Sequence, residues 1–125
     1  MATPESKVKQ KVMKYLKEMN AYYFYPVTGG YGKSGVPDIV GCYEGAFFGI
    51  ECKAGKNKPT PLQQKNLTDI RSAGGVALVV NEENVDDVVR LVQDYVRYNE
   101  QNRELVSHSE APSLKKKERK DDKQK

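Results

Sequence analysis

Apolar residues recur at helical spacing at the start of the chain. Thr3, Pro4 and Glu5 are of the types preferred at an N-cap and in the first turn of a helix. Apolar residues then follow at intervals of three or four positions, namely Val8, Val12, Leu16 and Met19. This spacing predicts a first helix over residues 4–19 with one apolar side. Its outward side is interpreted as a solvated face, with contacts to phosphates as the alternative, and carries Lys7, Lys9, Lys11, Lys14 and Lys17.

Three β-type stretches follow this helix. Residues 21–27 are rich in aromatic side chains, and residues 36–43 and 46–53 are rich in apolar and β-branched ones, as is typical of strands. Only Glu44 and Gly45 separate the last two stretches. We therefore predict that these two strands form a tight hairpin.

The second half of the chain alternates helix, strand and helix. Residues 60–72 begin with the capping-box pattern Thr60-x-x-Gln63 and are predicted to be helical. The apolar run at residues 76–80 is typical of a strand buried in a parallel sheet. Asn84 is predicted to cap a last helix. The inward side of that helix is predicted to carry Val85, Val88, Val89, Val92, Tyr95 and Val96.

The predicted order of elements is α-β-β-β-α-β-α, an α/β fold. The helix between the third and fourth strands makes those two strands parallel, whereas the hairpin is antiparallel. We therefore predict one domain over residues 1–98, with a mixed four-stranded sheet flanked by helices, and a disordered basic tail over residues 99–125. Residues 113–125 hold seven of the 21 Lys/Arg and three of the 17 Asp/Glu, so the remaining chain has 14 of each sign and is neutral.

Composition excludes several functional classes. No apolar run is long enough to span a membrane and no apolar signal segment follows Met1, so we expect a cytoplasmic protein. Two cysteines and one histidine provide neither a disulfide framework nor a multi-cysteine zinc site. The glycine-rich residues 28–35 lead into a strand rather than a helix, which excludes a P-loop or a dinucleotide site. Any bound metal ion is therefore expected to have oxygen ligands.

The predicted hairpin brings two carboxylates together. If Tyr43 pairs with Ala46 across the turn, Asp38 lies opposite Glu51 on the same face of the sheet. Opposed like charges are destabilising unless a cation lies between them. Lys53 projects from that face too, because strand side chains alternate. The alternative interpretation is an exposed hairpin with a surface Glu-Lys pair.

Two helical residues point toward the same place. Glu5 continues the apolar stripe of the first helix, so it is predicted to face the sheet; alternatively, it is a first-turn acid that interacts with the helix dipole. Gln63 lies on the inner stripe of the second helix, although it also fits the capping box with Thr60.

These residues, in this order of elements, resemble a known family. The set comprises Glu5, Gly35-Val36-Pro37-Asp38, Glu51-Cys52-Lys53 and Thr60-Pro61-x-Gln63. It is similar to the PD-(D/E)XK nuclease superfamily and, within it, to the virus-type replication-repair nuclease (VRR-NUC) domain in its small stand-alone phage form. The resemblance covers roughly residues 4–80. It implies a restriction-endonuclease-like core.

The resemblance also implies a set of functional residues. Asp38, Glu51 and the backbone carbonyl of Cys52 would bind Mg²⁺ or Mn²⁺, with Glu5 assisting directly or through water. Lys53 would activate water or stabilise the transition state, and Gln63 would position Lys53 or the phosphate. The reaction implied is the metal-dependent hydrolysis of phosphodiester bonds in DNA.

The expected substrate and assembly follow by analogy. Stand-alone relatives suggest a homodimer that cleaves branched DNA such as four-way (Holliday) junctions. We expect either a phage-encoded protein that acts in the host cell or an intracellular bacterial protein. Three lysines are candidates for phosphate contacts, namely Lys33, Lys56 and Lys58. The alternative hypotheses are a nucleic-acid-binding module of the same fold, without turnover or with another target such as a flap, single-stranded DNA or RNA, and a small interaction protein in which the motif is accidental.

Overall fold

The computed structural model describes residues 3–27 and 32–103. Its elements are α1 (Pro4–Glu18), β1 (Tyr22–Phe24), β2 (Ile39–Tyr43), β3 (Ala46–Cys52), α2 (Pro61–Ser72), β4 (Val76–Val80) and a 3₁₀ turn (Val85–Asp87) that leads into α3, helical over residues 88–103. This is the predicted order of elements. Part of the glycine-rich loop and residues 104–125 of the predicted tail lie outside the described residues.

The four strands form one mixed sheet. Its order is β1-β2-β3-β4, in which β1 and β2 pair antiparallel, β2 and β3 pair antiparallel, and β3 and β4 pair parallel. The predicted mixed four-stranded sheet flanked by helices is therefore confirmed.

The hairpin between β2 and β3 has the predicted register. Tyr43 pairs with Ala46, and Ile39 pairs with Ile50. The two turn residues both have positive φ angles, 49° at Glu44 and 83° at Gly45. Such a two-residue turn matches the twist of the flanking strands, although the left-handed conformation is strained for glutamate. The turn fixes which residues of β2 and β3 share a face.

Helices cover both faces of the sheet. The main core lies on one face, where α1 and α3 pack against alternate residues of the strands. Its fully or nearly fully buried members include Val12, Leu16, Ile39, Phe48, Ile50, Val80, Val88 and Val92. On the other face, α2 packs closely over Gly49, where an added Cβ would lie 2.8 Å from Ile70 Cδ1. The predicted inward position of Tyr95 is wrong: its side chain is 47% exposed because the buried stripe of α3 runs through Val88, Val92 and Val96.

The start and end of α3 differ from the prediction. Asn84 makes no side-chain cap to this helix. Its side chain instead accepts a hydrogen bond from the backbone N–H of Asn81 and donates one to the carbonyl of Val79, because Asn readily bonds to nearby backbone outside helices. The helix also continues through residue 103, five residues past the predicted domain boundary at 98. Within residues 3–27 and 32–103, no helix is long and apolar enough to cross a membrane.

The outer edge of β4 is occupied by side chains. The backbone N–H of Lys53 donates to the carbonyl of Val80, so that carbonyl points toward β3. Because successive carbonyls along a strand point to opposite sides, those of Ala77 and Val79 point away from β3. Arg71 donates to the outward carbonyl of Ala77 at 2.8 Å, and Asn84 donates to that of Val79 at 3.1 Å. The backbone acceptors of this edge strand are thereby satisfied within the chain.

Candidate active site

Asp38 is held against the end of β3 by a backbone hydrogen bond. It directly precedes β2, and its Oδ2 accepts a hydrogen bond of 2.8 Å from the N–H of Cys52. The register of the hairpin places Asp38 opposite Glu51, as predicted. Asp38 and Glu51 therefore lie at the same end of the hairpin, where β2 begins and β3 ends.

Glu51 is a buried carboxylate with one unpartnered oxygen. The residue is 1% exposed, and its Oε1 has no hydrogen-bond partner. Its Oε2 lies 3.3 Å from Lys53 Nζ. Burial, together with the negative charge of Asp38, raises the pKa of the Glu51 carboxyl to about 7 against the opposing effect of Lys53. A buried, unpaired carboxylate oxygen is costly unless a ligand or a cation satisfies it.

A second lysine, Lys9, reaches the site from α1. Its Nζ lies 3.8 Å from Asp38 Oδ1, and its side chain is only about one-third exposed. From the sequence, Lys9 was predicted to lie on the solvated face of α1, so its place at the site is a correction. Because Lys9 follows Glu5 by four positions, the two residues share one helical stripe, which is the signal that could have found it.

Glu5 and Cys52 complete the surroundings of the carboxylates. Glu5 is half-buried, and its negative charge raises the pKa of both Glu51 and Cys52. Burial, with a contribution from Asp38, raises the pKa of the Cys52 thiol to about 12, so the thiol is un-ionised. Glu5 therefore lies within electrostatic reach of the site, and Cys52 contributes its backbone rather than its thiol.

Close packing positions the Gly-Val-Pro-Asp segment. Gly35 has a φ of 74°, and an added Cβ would lie 2.6 Å from Leu62 Cγ at the start of α2. An added Cβ at Gly49 would likewise lie 2.8 Å from Pro37 Cγ. Glycine at both positions lets the segment lie between α2 and the sheet. This packing fixes the position of Asp38 directly before β2.

Gln63 serves as a helix cap at the edge of the site. Its Oε1 accepts a hydrogen bond of 2.9 Å from the N–H of Thr60, and its own N–H donates to Thr60 Oγ1. The capping box predicted as the alternative role of Gln63 is therefore present. Gln63 also lines the cleft that contains Asp38. Its amide NH₂ group is not used by the cap, and its oxygen retains a second lone pair.

The three lysines predicted to contact phosphates lie away from the carboxylates. Lys33 lines a separate depression with Asp69 on α2, and Lys56 and Lys58 are exposed in the loop after β3. None of the three lines the cleft beside Asp38. The structure therefore does not bring them together with the predicted catalytic residues.

The donor set fits a divalent cation held by few protein ligands. In the described part of the chain, no three Cys, His, Asp or Glu side chains are arranged to hold a metal ion by themselves. Mg²⁺, however, is usually held by one or two carboxylates together with water and substrate phosphate. The unpartnered Oε1 of buried Glu51, next to the carboxylate of Asp38, provides such a pair.

Comparisons with known proteins identify the fold. The chain matches no protein-family model and no curated protein. A solved structure described as "VRR_NUC domain" is 22% identical, has a TM-score of 0.58, and the match covers 71% of this chain and 97% of that one. Another, described as "VRR_NUC domain protein", is 22% identical, has a TM-score of 0.56, and the match covers 78% and 91% of the two chains. The chain therefore has the fold of these VRR_NUC domain structures.

Proposed function

We propose that this protein is a VRR-NUC nuclease of the PD-(D/E)XK type, an Mg²⁺- or Mn²⁺-dependent endonuclease that hydrolyses phosphodiester bonds in DNA. The observation that carries the proposal is the side chain of Glu51. It is buried, has an oxygen without a partner and lies beside the carboxylate of Asp38 and the ammonium of Lys53. A fold that only needed packing here would gain stability from an apolar residue at this position.

The metal ligands proposed are Asp38, Glu51 and the backbone carbonyl of Cys52, with Glu5 assisting directly or through water. In a β-ladder, the N–H and C=O of one residue point to the same neighbour. Because the N–H of Cys52 donates to Asp38, its carbonyl is directed to the Asp38 side as well. A cation bound there would supply Lewis acidity and neutralise negative charge on the phosphate.

Lys53 and Gln63 act on the substrate in this proposal. The Lys53 side chain is 13% exposed and is anchored by Glu51, so its ammonium is held in place at low dielectric. There it orients the attacking water or stabilises the charge that develops on the phosphoryl oxygens. Gln63 donates from its amide NH₂ group to the phosphate, or positions Lys53 through its amide oxygen.

One observation favours a second candidate, a nucleic-acid-binding module of the same fold without turnover. Each carboxylate already has its own lysine, since Lys9 lies 3.8 Å from Asp38 and Lys53 lies 3.3 Å from Glu51. A site balanced in this way does not require a metal ion for neutrality. Metal-dependent cleavage separates the two candidates.

The proposed substrate is branched DNA, in particular a four-way junction, and the proposed assembly is a homodimer. Symmetric cleavage of a junction needs two active sites, which a dimer with a twofold axis supplies. This part of the proposal rests on analogy with stand-alone VRR-NUC domains. The same chain could act on a flap, on single-stranded DNA or on RNA, and the assay below includes these substrates.

The decisive experiment is the cleavage of an end-labelled four-way junction, with flap, duplex and single-stranded DNA and RNA controls, in Mg²⁺, Mn²⁺ or EDTA. We expect paired symmetric nicks that require metal and are lost in Lys53→Ala. Binding without cleavage in either metal would support the binding module instead. Cleavage of the control substrates alone would retain the nuclease and discard the junction. A monomer in gel filtration at micromolar concentration would count against the dimer.

A further inference from the structure

A cleft of about 500 Å³ opens beside Asp38, which is within the usual range of small-molecule sites, about 300–1,000 Å³. One wall is the side of α1 that carries Ser6, Lys9, Gln10 and Met13. The opposite wall consists of Tyr25 and Pro26, which follow β1, together with residues 35–38. Asp38 and Gln63, which also lines the cleft, belong to the metal and catalytic set proposed above, whereas the other lining residues do not. Most of the cleft is therefore a space beside the proposed reaction centre to which the proposed chemistry assigns no role.

The two halves of the cleft differ in chemistry. Ser6, Lys9 and Gln10 offer hydrogen-bond donors from α1, whereas Met13, Tyr25 and Pro26 offer apolar and aromatic surface. Among the described residues that line the cleft, Lys9 and Asp38 are the charged ones. An anionic group and a flat apolar group, joined at short distance, match this division. A nucleotide has both, in its phosphate and its base.

Lys9 is suited to bind a phosphate. Its Nζ lies 3.8 Å from Asp38 Oδ1, too far for a hydrogen bond, so its N–H groups remain able to donate to a phosphate oxygen. The residue is already ordered at the site, and its side chain is about one-third exposed. A cation on Asp38, as proposed above, would remove the repulsion between that carboxylate and an entering phosphate.

Tyr25 is suited to stack on a base. It is 43% exposed, and its hydroxyl donates to the sulfur of Met13 on α1, so one face of the ring is accessible beside that helix. Aromatic side chains in such positions stack on bases in a sequence-tolerant way, because every base has a π-face. A base can stack on Tyr25 only if it has left the duplex stack.

We infer that this cleft is a subsite for one unpaired nucleotide next to the scissile phosphate, with Lys9 binding its phosphate and Tyr25 stacking on its base. The inference rests on the proposed nuclease function and specifies its substrate class. It selects DNA that presents an unpaired nucleotide at the cut, as at a fork or a strained branch point, over a continuous duplex.

The test is equilibrium binding of a fluorescent fork with unpaired arms and of a fully paired duplex, measured in Ca²⁺, with intact DNA verified on a gel. At about 0.1 M salt, Lys9→Gln should weaken fork binding about fivefold and lower the slope of log K against log salt by about 0.7, the effect of one lost single-strand phosphate contact. Tyr25→Leu should weaken fork binding about tenfold without changing that slope. Neither substitution should alter duplex binding.

Two matched variants control for folding and for general charge. Tyr25→Phe keeps the ring and should bind the fork as the natural chain does. Lys14→Gln removes an exposed lysine of α1 that does not line the cleft, and should leave both the affinity and the slope unchanged. The subsite would be overturned if Lys14→Gln lost as much fork affinity as Lys9→Gln. It would also be overturned if Lys9→Gln and Tyr25→Leu both bound the fork as tightly as the natural chain.

The same samples separate this inference from the proposed function. Metal-dependent cleavage that is lost in Lys53→Ala, with fork binding indifferent to Lys9 and Tyr25, would keep the nuclease and discard the subsite. Absence of cleavage on every substrate, with the predicted losses of fork binding, would discard the nuclease and keep a nucleotide subsite in a binding module.

Discussion

Glu51→Gln is expected to stabilise the metal-free protein at high pH. Glutamine has nearly the shape of the protonated glutamic acid and carries no charge. The substitution therefore removes the cost of a buried carboxylate that has one oxygen without a partner. In most proteins, a substitution in the buried part of a sheet destabilises, so the sign of this effect is diagnostic.

The magnitude follows from the pKa of Glu51, which rises from the ordinary 4.5 in the unfolded chain to about 7 in the folded one. Below pH 4.5, both states hold the proton, and the carboxyl costs nothing. Between these values, only the folded state holds it, so stability falls as the pH rises. Above pH 7, the folded state carries the buried carboxylate, at a cumulative cost of about 3 kcal/mol relative to acid pH.

The assay is urea unfolding of both chains in EDTA at a series of pH values from about 4 to 9, with the free energy of unfolding extrapolated to water. The difference between Glu51→Gln and the natural chain should grow in favour of the variant as the pH rises through this range. Glu83→Gln, at an exposed loop position, should stay within about 0.5 kcal/mol of the natural chain throughout.

Added Mg²⁺ should reverse the order. Because an ion that binds only the folded state stabilises it by mass action, millimolar Mg²⁺ should raise the unfolding free energy of the natural chain and leave Glu51→Gln unchanged. A Glu51→Gln protein that is less stable than the natural chain at pH 8 in EDTA would refute the reasoning. Glu51 would then be a structural residue whose bond with Lys53 holds the end of β3 in place.

Two further predictions concern residues with positive φ angles. Glu44→Asn should raise the unfolding free energy by about 0.5–1 kcal/mol, because asparagine tolerates the φ of 49° at this hairpin turn better than glutamate does; an unchanged urea midpoint would contradict this. Gly35→Ala should lower it by more than about 1 kcal/mol, since the added Cβ would lie 2.6 Å from Leu62 Cγ at a φ of 74°. Gly45→Ala has open space around the Cβ and should cost only the strain of its φ of 83°, so an equal loss at both glycines would show that contact with α2 does not matter.

Much of the fold could be predicted from the sequence because local signals coincide with packing. The strand at residues 76–80 was found to the residue, since its apolar run is bounded by two glycines on one side and by Asn81 on the other. The hairpin register followed from a two-residue turn, and that register places Asp38 opposite Glu51. When one tight turn fixes the register of two strands, the residues that lie opposite each other can be predicted by counting positions from the turn.

The rest depended on contacts between distant segments. Lys9 is polar and was predicted to face solvent, but its Nζ lies 3.8 Å from Asp38 Oδ1, because a long side chain can bend from the helix surface toward a carboxylate. Asn84 has the side chain of a helix cap and uses it on Asn81 and Val79 instead. Helical periodicity can identify the face of a helix on which a residue lies, but not the residues opposite that face. The partners of Lys9 and Asn84 could therefore not be predicted.

The hydrogen bonds of Arg71 and Asn84 to the outer edge of β4 bear on how two copies of the chain can assemble. A strand whose acceptors are already taken is a poor template for a strand from another molecule. Within the described residues, β1 is the other border of the sheet, and it is only three residues long, with exposed Tyr22 and Phe24. A dimer would therefore have two ways to assemble. Either the two sheets pair at β1 across the twofold axis, or the subunits contact each other through side chains alone and each sheet stays within its own subunit.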